Sequence, residues 1–218
     1  IHKISPGVDT NRFRPDINCR TVLEKYNLDG RKVLLTVSRL VERKGHDQVI
    51  KALPEILAKV PQTVYLIAGT GPQESYLRSL AYEVGVADQV LFAGFVPEEE
   101  LPAHYNACDV FVMPSRQTEG REGIEGFGIV YLEANACGKP VIGGDSGGVS
   151  DAVIDSITGL LVDPLSKQAV ADAVIRLLLD DNLARQMGKQ GREIVERDCT
   201  WNIQARRLHH LLQGAISR

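Results

Sequence analysis

The fold is decided by residues 33–69, VLLTVSRLVERKGHDQVIKALPEILAKVPQTVYLIAG. The run at 33–38 is apolar without alternation, which is typical of a strand buried on both faces of a sheet. The amphipathic stretch at 46–60 predicts a helix, which Pro54 should kink or split. A second apolar run at 63–69 completes a strand–helix–strand unit, and such units place their two strands parallel in one sheet.

The same alternation continues along the chain, which contains six predicted strands. The four further strands are expected at 89–95, 110–114, 140–144 and 159–162, and further helices at 73–84, 98–108 and 125–137. This pattern predicts an α/β fold, a Rossmann-like doubly wound parallel sheet with helices on both faces, forming one domain over residues 1–218. Three closing helices have no strands between them, so we expect them to pack outside the sheet or against another domain. They are predicted at 166–179, 182–197 and 202–216.

Composition excludes several classes of protein. Hydrophobic residues make up 44% and charged residues 24% of the 218 residues, which is unlike a disordered or collagen-like chain. The net charge of −3 argues against a nucleic-acid-binding protein. The cysteines, Cys19, Cys108, Cys137 and Cys199, are scattered, so we expect reduced thiols in a cytoplasmic protein. The chain begins with Ile1 and shows no secretory signal, so we expect it to be a segment of a longer protein.

Two cations follow the first predicted strand. Arg39 leaves the strand and Lys44 directly precedes the next helix. Ligands of open α/β sheets bind outside the carboxyl ends of the strands. An arginine, a lysine and a helix N-terminus at that edge suit a multiply charged anion such as a diphosphate. The alternative is a pair of solvated surface cations.

Two carboxylates flank the start of the helix expected near residues 126–128. Gly126 and Gly128 would let a ligand approach the backbone amides closely. Glu133 lies within an apolar part of the helix and needs a partner, which sugar hydroxyls would provide. Glu125 precedes the helix and would face the same cleft. The alternative is two acidic residues stabilised by the helix dipole.

Other motifs are weaker or incomplete. The Gly69-x-Gly71 pair lacks the third glycine of a dinucleotide fingerprint, and the sequence has neither a P-loop nor a G-x-S-x-G elbow. Residues 146–148 could donate amides to a ligand or form a plain turn. The histidines show no metal-ligand spacing, so we expect structural or solvated roles for His2, His46, His104, His209 and His210.

Together these motifs resemble the retaining glycosyltransferases of family 4, which have the GT-B fold. Glu125 and Glu133 form an E-x7-E motif within EGFGIVYLEA (125–134), followed by ACGKPVI (136–142). SRLVERKG (38–45) is similar to the phosphate-binding loop of that family. AGTGP (68–72), FAGFV (92–96) and ISPGVDTNRFRP (4–15) follow the family's order, so the resemblance covers nearly the whole chain.

The resemblance implies a role for each matching residue. Glu125, Arg39 and Lys44 would be catalytic: the two cations would hold the diphosphate, and Glu125 would contact the donor sugar. Glu133 would bind the ribose, Val96 would lie beside the base, and the amides of residues 127–129 would face sugar and phosphate. The full set of expected substrate-binding residues is Gly71, Val96, Gly126, Phe127, Gly128, Ile129, Val130 and Glu133.

The resemblance also implies partners. The cation pair would stabilise the leaving diphosphate without a required metal or other cofactor. The partners would be a sugar nucleotide, an N-terminal GT-B domain and a lipid or saccharide acceptor. The whole enzyme would be cytoplasmic and compatible with association with the cytoplasmic membrane face. The present chain, lacking the acceptor domain, is expected to bind the donor but to transfer the sugar poorly or not at all.

Residues 115–124 and 144–148 are most similar to the phosphatidylinositol mannosyltransferase branch, which favours GDP-mannose as donor. The first of these segments contains Arg116, Glu119, Arg121 and Glu122. A UDP-sugar donor and a non-catalytic sugar-nucleotide-binding module are the alternatives. A GT-B phosphorylase would need a pyridoxal-phosphate lysine site, and the sequence shows no such pattern.

Overall fold

The computed structural model describes residues 4–119 and 123–216, and within them six parallel strands form one sheet. The strand order is β3-β2-β1-β4-β5-β6, the order of a doubly wound Rossmann-like sheet. The strands are β1 (Lys32–Val37), β2 (Thr63–Ala68), β3 (Val90–Gly94), β4 (Val110–Met113), β5 (Val141–Gly144) and β6 (Gly159–Val162). The six predicted strands and the fold class are therefore confirmed.

Eight α-helices accompany the strands in the described residues. They are α1 (Arg20–Tyr26), α2 (His46–Lys59), α3 (Glu74–Glu83), α4 (Leu101–Ala107), α5 (Ile129–Ala136), α6 (Lys167–Leu179), α7 (Asp181–Asp198) and α8 (Trp201–Ile216). Short 3-10 turns precede α2 at Glu42–Lys44 and α4 at Glu98–Glu100. The sequence did not predict α1, whose seven residues bury only Val22.

Successive strand residues point into two separate cores. Leu34 and Tyr65 pack in the first core with α2, α3 and α6, whereas Leu35 and Leu66 pack in the second with α4 and α5. This explains the continuous apolar runs, since both faces of the sheet are covered. Of the closing helices, α6 packs on α2 and on the strands of the first face, and α7 packs on α5.

Two helix predictions need correction. Pro54 does not split α2, which runs unbroken over His46–Lys59 with Pro54 exposed and Leu53 and Ile56 buried, whereas a kink at Pro54 stays a prediction. The helix expected at 125–137 begins only at Ile129. Gly128 precedes it with φ of 87°, a left-handed conformation that ends the preceding loop and that glycine adopts without strain.

Arg192 of α7 fastens the N-terminal segment to the second face of the sheet. Its Nη1 donates to the carbonyls of Phe13 at 2.8 Å, Ala136 at 2.7 Å and Thr10 at 3.2 Å. We expect Arg192→Met to lower the free energy of unfolding by about 2–4 kcal/mol, because these carbonyls lose a charged donor in a half-buried place. Urea denaturation measures the change.

Lys189→Met is the matched control for this substitution. Lys189 lies one turn earlier on α7, is largely exposed and forms a long ion pair of 3.8 Å with Glu193. Its loss should change the free energy of unfolding by about 0.5 kcal/mol or less. Equal effects of the two substitutions would show that Arg192 does not fasten the segment.

The cysteines are unpaired, as the sequence predicted. All four cysteines are free thiols, with Cys108 and Cys137 buried and Cys19 and Cys199 half-buried. In the part of the chain that is described, no helix is both long enough and apolar enough to cross a bilayer.

Candidate functional site

The site lies where the strand order reverses, between β1 and β4. The chain leaves β1 toward α2 and β2 on one side, and leaves β4 toward α5 and β5 on the other. The loops after these two neighbouring strands, 38–45 and the described parts 114–119 and 123–128, meet at the carboxyl edge of the sheet. Ligands of open α/β sheets bind at this edge. The first loop carries Arg39 and Lys44, and the second carries Glu125, as the sequence predicted.

The loop after β1 buries Lys44. Lys44 closes the 3-10 turn Glu42–Lys44, and Gly45 then starts α2 with φ of 75°. A Cβ atom at Gly45 would lie 2.1 Å from the Pro114 carbonyl oxygen, so the two loops touch at this point. Burial lowers the pKa of Lys44, and the hydrogen bond and charge of Glu125 oppose this effect only in part. The positive charges of Arg43 and Arg39 add smaller contributions that also lower it. Arg39 itself is exposed.

Glu125 is the carboxylate that meets these cations. Its Oε2 accepts hydrogen bonds from Lys44 Nζ and, at 2.8 Å, from Arg43 Nη1. Both the Lys44 and Glu125 side chains are only about one-tenth exposed. The sequence predicted that Lys44 and Glu125 face one cleft. It did not predict their direct contact or the hydrogen bond from Arg43 to Glu125.

The loop at 146–148 is hydrogen-bonded to the backbone of Glu125. The Gly148 amide donates to the Glu125 carbonyl at 2.8 Å. A Cβ atom at Gly148 would lie 2.0 Å from the Gly126 carbonyl oxygen. Of the two roles considered for this segment, the Gly148 amide has the structural one, because its hydrogen bond holds the loop that carries Glu125.

A second buried ion pair, which the sequence did not predict, joins the start of α2 to the loop after β4. Arg116 Nη1 donates to Asp47 Oδ1 at 2.6 Å, and the Arg116 amide donates to the Arg43 carbonyl at 2.8 Å. Burial alone would raise the pKa of Asp47, but the bonds and charges of Arg116 and Lys51 outweigh burial and lower it. The pair fixes the start of α2 against the loop after β4. Arg121 and Glu122, which belong to the same sequence segment as Arg116, lie outside the described residues.

His46 has a structural role beneath the loop after β1. Its Nδ1 lies 3.0 Å from Tyr65 Oη, and its Nε2 lies 3.0 Å from Ser38 Oγ. Burial lowers the pKa of His46 to about 4, so the ring is neutral near pH 7. A neutral ring donates through one nitrogen and accepts through the other, which suits this pair of hydroxyl partners.

Glu133 lies in α5 with a neutral partner. Tyr105 Oη of α4, itself fully buried, donates to Glu133 Oε2 at 2.6 Å. Burial raises the pKa of Glu133, and the Tyr105 hydrogen bond partly opposes this effect. The bond occupies one carboxylate oxygen and fixes the direction of the other. The sequence did not indicate Tyr105, because a buried aromatic residue is indistinguishable from an ordinary core residue.

Tyr105→Phe should raise the pKa of Glu133 further. The substitution removes the hydrogen bond that favours the ionised carboxylate and leaves burial unopposed. Titration of the Glu133 carboxyl carbon by NMR measures the shift. Tyr65→Phe removes another buried tyrosine hydroxyl far from α5 and should leave the Glu133 titration unchanged. A Glu133 pKa that stays constant or falls in Tyr105→Phe would contradict this role of Tyr105.

The remaining predicted substrate-binding residues occupy different environments. Gly126 and Ile129 are exposed, whereas Phe127, Gly128 and Val130 are half-buried at the start of α5. Gly71 lies against the backbone of Leu40, where a Cβ atom would come within 2.5 Å of the carbonyl oxygen. The Val96 side chain is buried in the second core.

The described residues contain no group of three or more His, Cys, Asp or Glu side chains that could hold a metal ion. That the site works without a metal remains a prediction, which assays with and without EDTA test.

Comparison with known proteins identifies the family. The model of the family described as glycosyl transferases group 1 matches residues 20–194. The chain belongs to the group 1 glycosyl transferases. A GDP-mannose-dependent alpha-(1-6)-phosphatidylinositol monomannoside mannosyltransferase of Mycolicibacterium smegmatis is 45% identical over 215 residues, 98% of this chain and 56% of that relative. The chain therefore spans about half the length of the curated relatives it matches.

Solved structures of similar fold include two informative cases. Sucrose-phosphate synthase from Thermosynechococcus elongatus is 34% identical with a TM-score of 0.83, over 98% of this chain and 52% of that chain. The C-terminal domain of a group 1 glycosyl transferase family protein from Francisella tularensis is 27% identical with a TM-score of 0.77, over 89% of this chain and 100% of that chain. The second case is a separate C-terminal domain of the same family and fold.

Within this group 1 glycosyl transferase, the two glutamates of the E-x7-E spacing have distinct chemistry. Glu125 is held by two cations in a loop, whereas Glu133 is held by a neutral hydroxyl on a helix. Cations and a carboxylate at one point suit a ligand that carries phosphates and hydroxyls side by side.

Proposed function

We propose that this chain binds a nucleoside-diphospho-sugar and that the protein transfers the sugar to an acceptor with retention of anomeric configuration. The contact between Lys44 and Glu125 is the observation that carries the proposal. It places a cation suited to phosphate beside a carboxylate suited to hydroxyls, at the point where the strand order reverses. A sugar–phosphate bond bound at this edge of the sheet would lie between the two groups.

The proposed chemistry follows from the charges of the site. Cleavage of the anomeric C–O bond leaves a nucleoside diphosphate whose negative charge builds up in the transition state. Arg39 and Lys44 would stabilise that charge, which is the largest contribution such a site can make. Glu125 would orient the sugar through its hydroxyls and Glu133 the ribose. Same-face attack by the acceptor, assisted by the leaving phosphate, would retain the configuration.

GDP-mannose is the donor that we propose. The curated relative at 45% identity over nearly the whole chain is named as GDP-mannose-dependent, which supports this choice. A UDP-sugar is the alternative, since Arg39 and Lys44 would contact the diphosphate, which both donors share.

We further propose that the chain works with a second GT-B domain that binds the acceptor. The curated relative is nearly twice as long as the matched region and is named for a phosphatidylinositol monomannoside acceptor. A lipid acceptor of this kind would bring the whole enzyme to the cytoplasmic face of a membrane.

A transfer assay with the full-length protein tests the function. The protein is incubated with GDP-α-mannose and phosphatidylinositol monomannoside, with and without EDTA, and the new linkage is assigned by NMR. We expect an α-mannosidic product that EDTA does not reduce, and little or no product from residues 1–218 alone. A β-linked product would reject retention, loss of activity in EDTA would reject metal independence, and donor binding without transfer would favour a non-catalytic module.

A further inference from the structure

The Lys44–Glu125 contact creates a competition within the proposed donor site. Lys44 is the buried cation placed to bind a diphosphate, yet Glu125 already accepts a hydrogen bond from it. Any phosphate that binds Lys44 must therefore replace this carboxylate or share the ammonium group with its negative charge. Because both side chains are largely buried, water screens that repulsion only weakly.

Arg43 allows the exchange to take place without releasing Glu125. Its Nη1 donates to the same carboxylate oxygen at 2.8 Å, and its side chain is only 15% exposed. When Lys44 turns toward a phosphate, Arg43 can keep the carboxylate ionised and in position. Among the described residues, the buried Nε of Arg43 has no hydrogen-bond partner.

The two possible occupants of the site differ in what they offer Glu125. An intact sugar nucleotide brings sugar hydroxyls, which can donate to the carboxylate and replace the lost bond to Lys44. A bare nucleoside diphosphate lacks these sugar hydroxyls, so it brings only the negative charge of its phosphates to Glu125. The carboxylate should therefore oppose binding of the diphosphate product more than binding of the donor.

We propose that Glu125 makes the site select the intact sugar nucleotide over the nucleoside diphosphate, by competing with the diphosphate for Lys44. This inference rests on the proposed function and adds to it a specificity-determining role for the ion pair. The competition would also promote release of the product after the sugar has been transferred.

The Glu125→Gln variant tests the inference by calorimetric titration with GDP and with GDP-mannose. Removal of the competing charge should tighten GDP binding about tenfold, which corresponds to about 1.4 kcal/mol. GDP-mannose should gain less or lose affinity, so the preference for the intact donor should shrink. Glu125→Asp keeps the charge but withdraws it from Lys44, and should give a smaller gain for GDP.

Two controls separate the ion pair from other effects. Glu133→Gln removes the other carboxylate of the site, which has no contact with Lys44, and should not tighten GDP binding. In a Lys44→Ala background, Glu125→Gln should increase the affinity for GDP clearly less than it does with Lys44 present, because the competed cation is absent and only the direct repulsion between carboxylate and phosphates remains.

The outcomes distinguish this inference from the proposed function. If the wild-type chain binds GDP-mannose but Glu125→Gln and Glu125→Asp bind GDP no tighter than wild type, the inference is wrong and the donor site stands. A gain of undiminished size in the Lys44→Ala background would also overturn it. If neither the wild-type chain nor the full-length protein binds GDP or GDP-mannose, the proposed function fails, and the inference fails with it.

Discussion

Lys44→Ala should weaken binding of the sugar nucleotide about 10- to 150-fold. The substitution removes a charge-assisted contact to the diphosphate worth about 1.5–3 kcal/mol, and each 1.4 kcal/mol changes the affinity about tenfold. It also leaves Glu125, a buried carboxylate, with one cation partner fewer beside the phosphates. Calorimetric titration of the wild-type and variant chains with the same nucleotide measures the change.

Lys51→Ala is the matched control for this prediction. Lys51 lies two turns further along the same loop–helix segment, but its ammonium group contacts Asp47 at 3.1 Å rather than Glu125. Its removal should change nucleotide affinity about twofold or less, as expected for a partly exposed ion pair. An unchanged affinity in Lys44→Ala would reject Lys44 as a phosphate ligand.

Gly45→Ala should lower the free energy of unfolding by about 2–5 kcal/mol. A φ of 75° costs a residue with a Cβ atom about 1–2 kcal/mol. The new Cβ would also lie 2.1 Å from the Pro114 carbonyl oxygen, so the loops after β1 and β4 must move apart at a further cost of about 1–3 kcal/mol. Because Lys44 directly precedes Gly45, nucleotide affinity should fall as well.

Gly30→Ala isolates the backbone contribution to this effect. Gly30 has almost the same φ, 73°, but a Cβ atom there would meet nothing within 4 Å. Urea denaturation should therefore show a loss of only about 1–2 kcal/mol, with nucleotide affinity unchanged. If Gly45→Ala cost no more than Gly30→Ala, the close approach of the two loops would be refuted.

The sheet could be predicted from the sequence because its strands are buried on both faces. Runs such as 33–38 and 63–69 are continuously apolar, and each corresponds to an observed strand within one residue at either end. Helix boundaries were less predictable where glycine sets them. The start of α5 depends on the left-handed φ of Gly128, which a glycine-rich sequence permits but does not specify.

The site could be predicted only in part. Arg39, Lys44 and Glu125 were expected at one edge because parallel strands end together, and the structure places their loops on adjacent strands. The contact between Lys44 and Glu125 joins residues 81 positions apart, and its formation depends on how two loops turn. Nothing in the local pattern indicates such a contact.

The residues that hold the site in place were not predicted for a different reason. Arg43 is one of several cations in its loop, and only the position of Glu125 distinguishes it from a solvated surface arginine. Tyr105 looks like an ordinary core aromatic until its hydroxyl is seen to meet Glu133. Both act through tertiary contacts, which composition and spacing do not reveal.

The most direct test of the proposed donor site is calorimetric titration of the chain with GDP-mannose and with UDP-glucose, each with and without EDTA. We expect GDP-mannose to bind more tightly than UDP-glucose and EDTA to have no effect on its affinity. Tighter binding of UDP-glucose would contradict the proposed donor, and binding that EDTA abolishes would contradict a site built on Arg39 and Lys44. Absence of binding by both nucleotides, in this chain and in the full-length protein, would contradict the donor site itself.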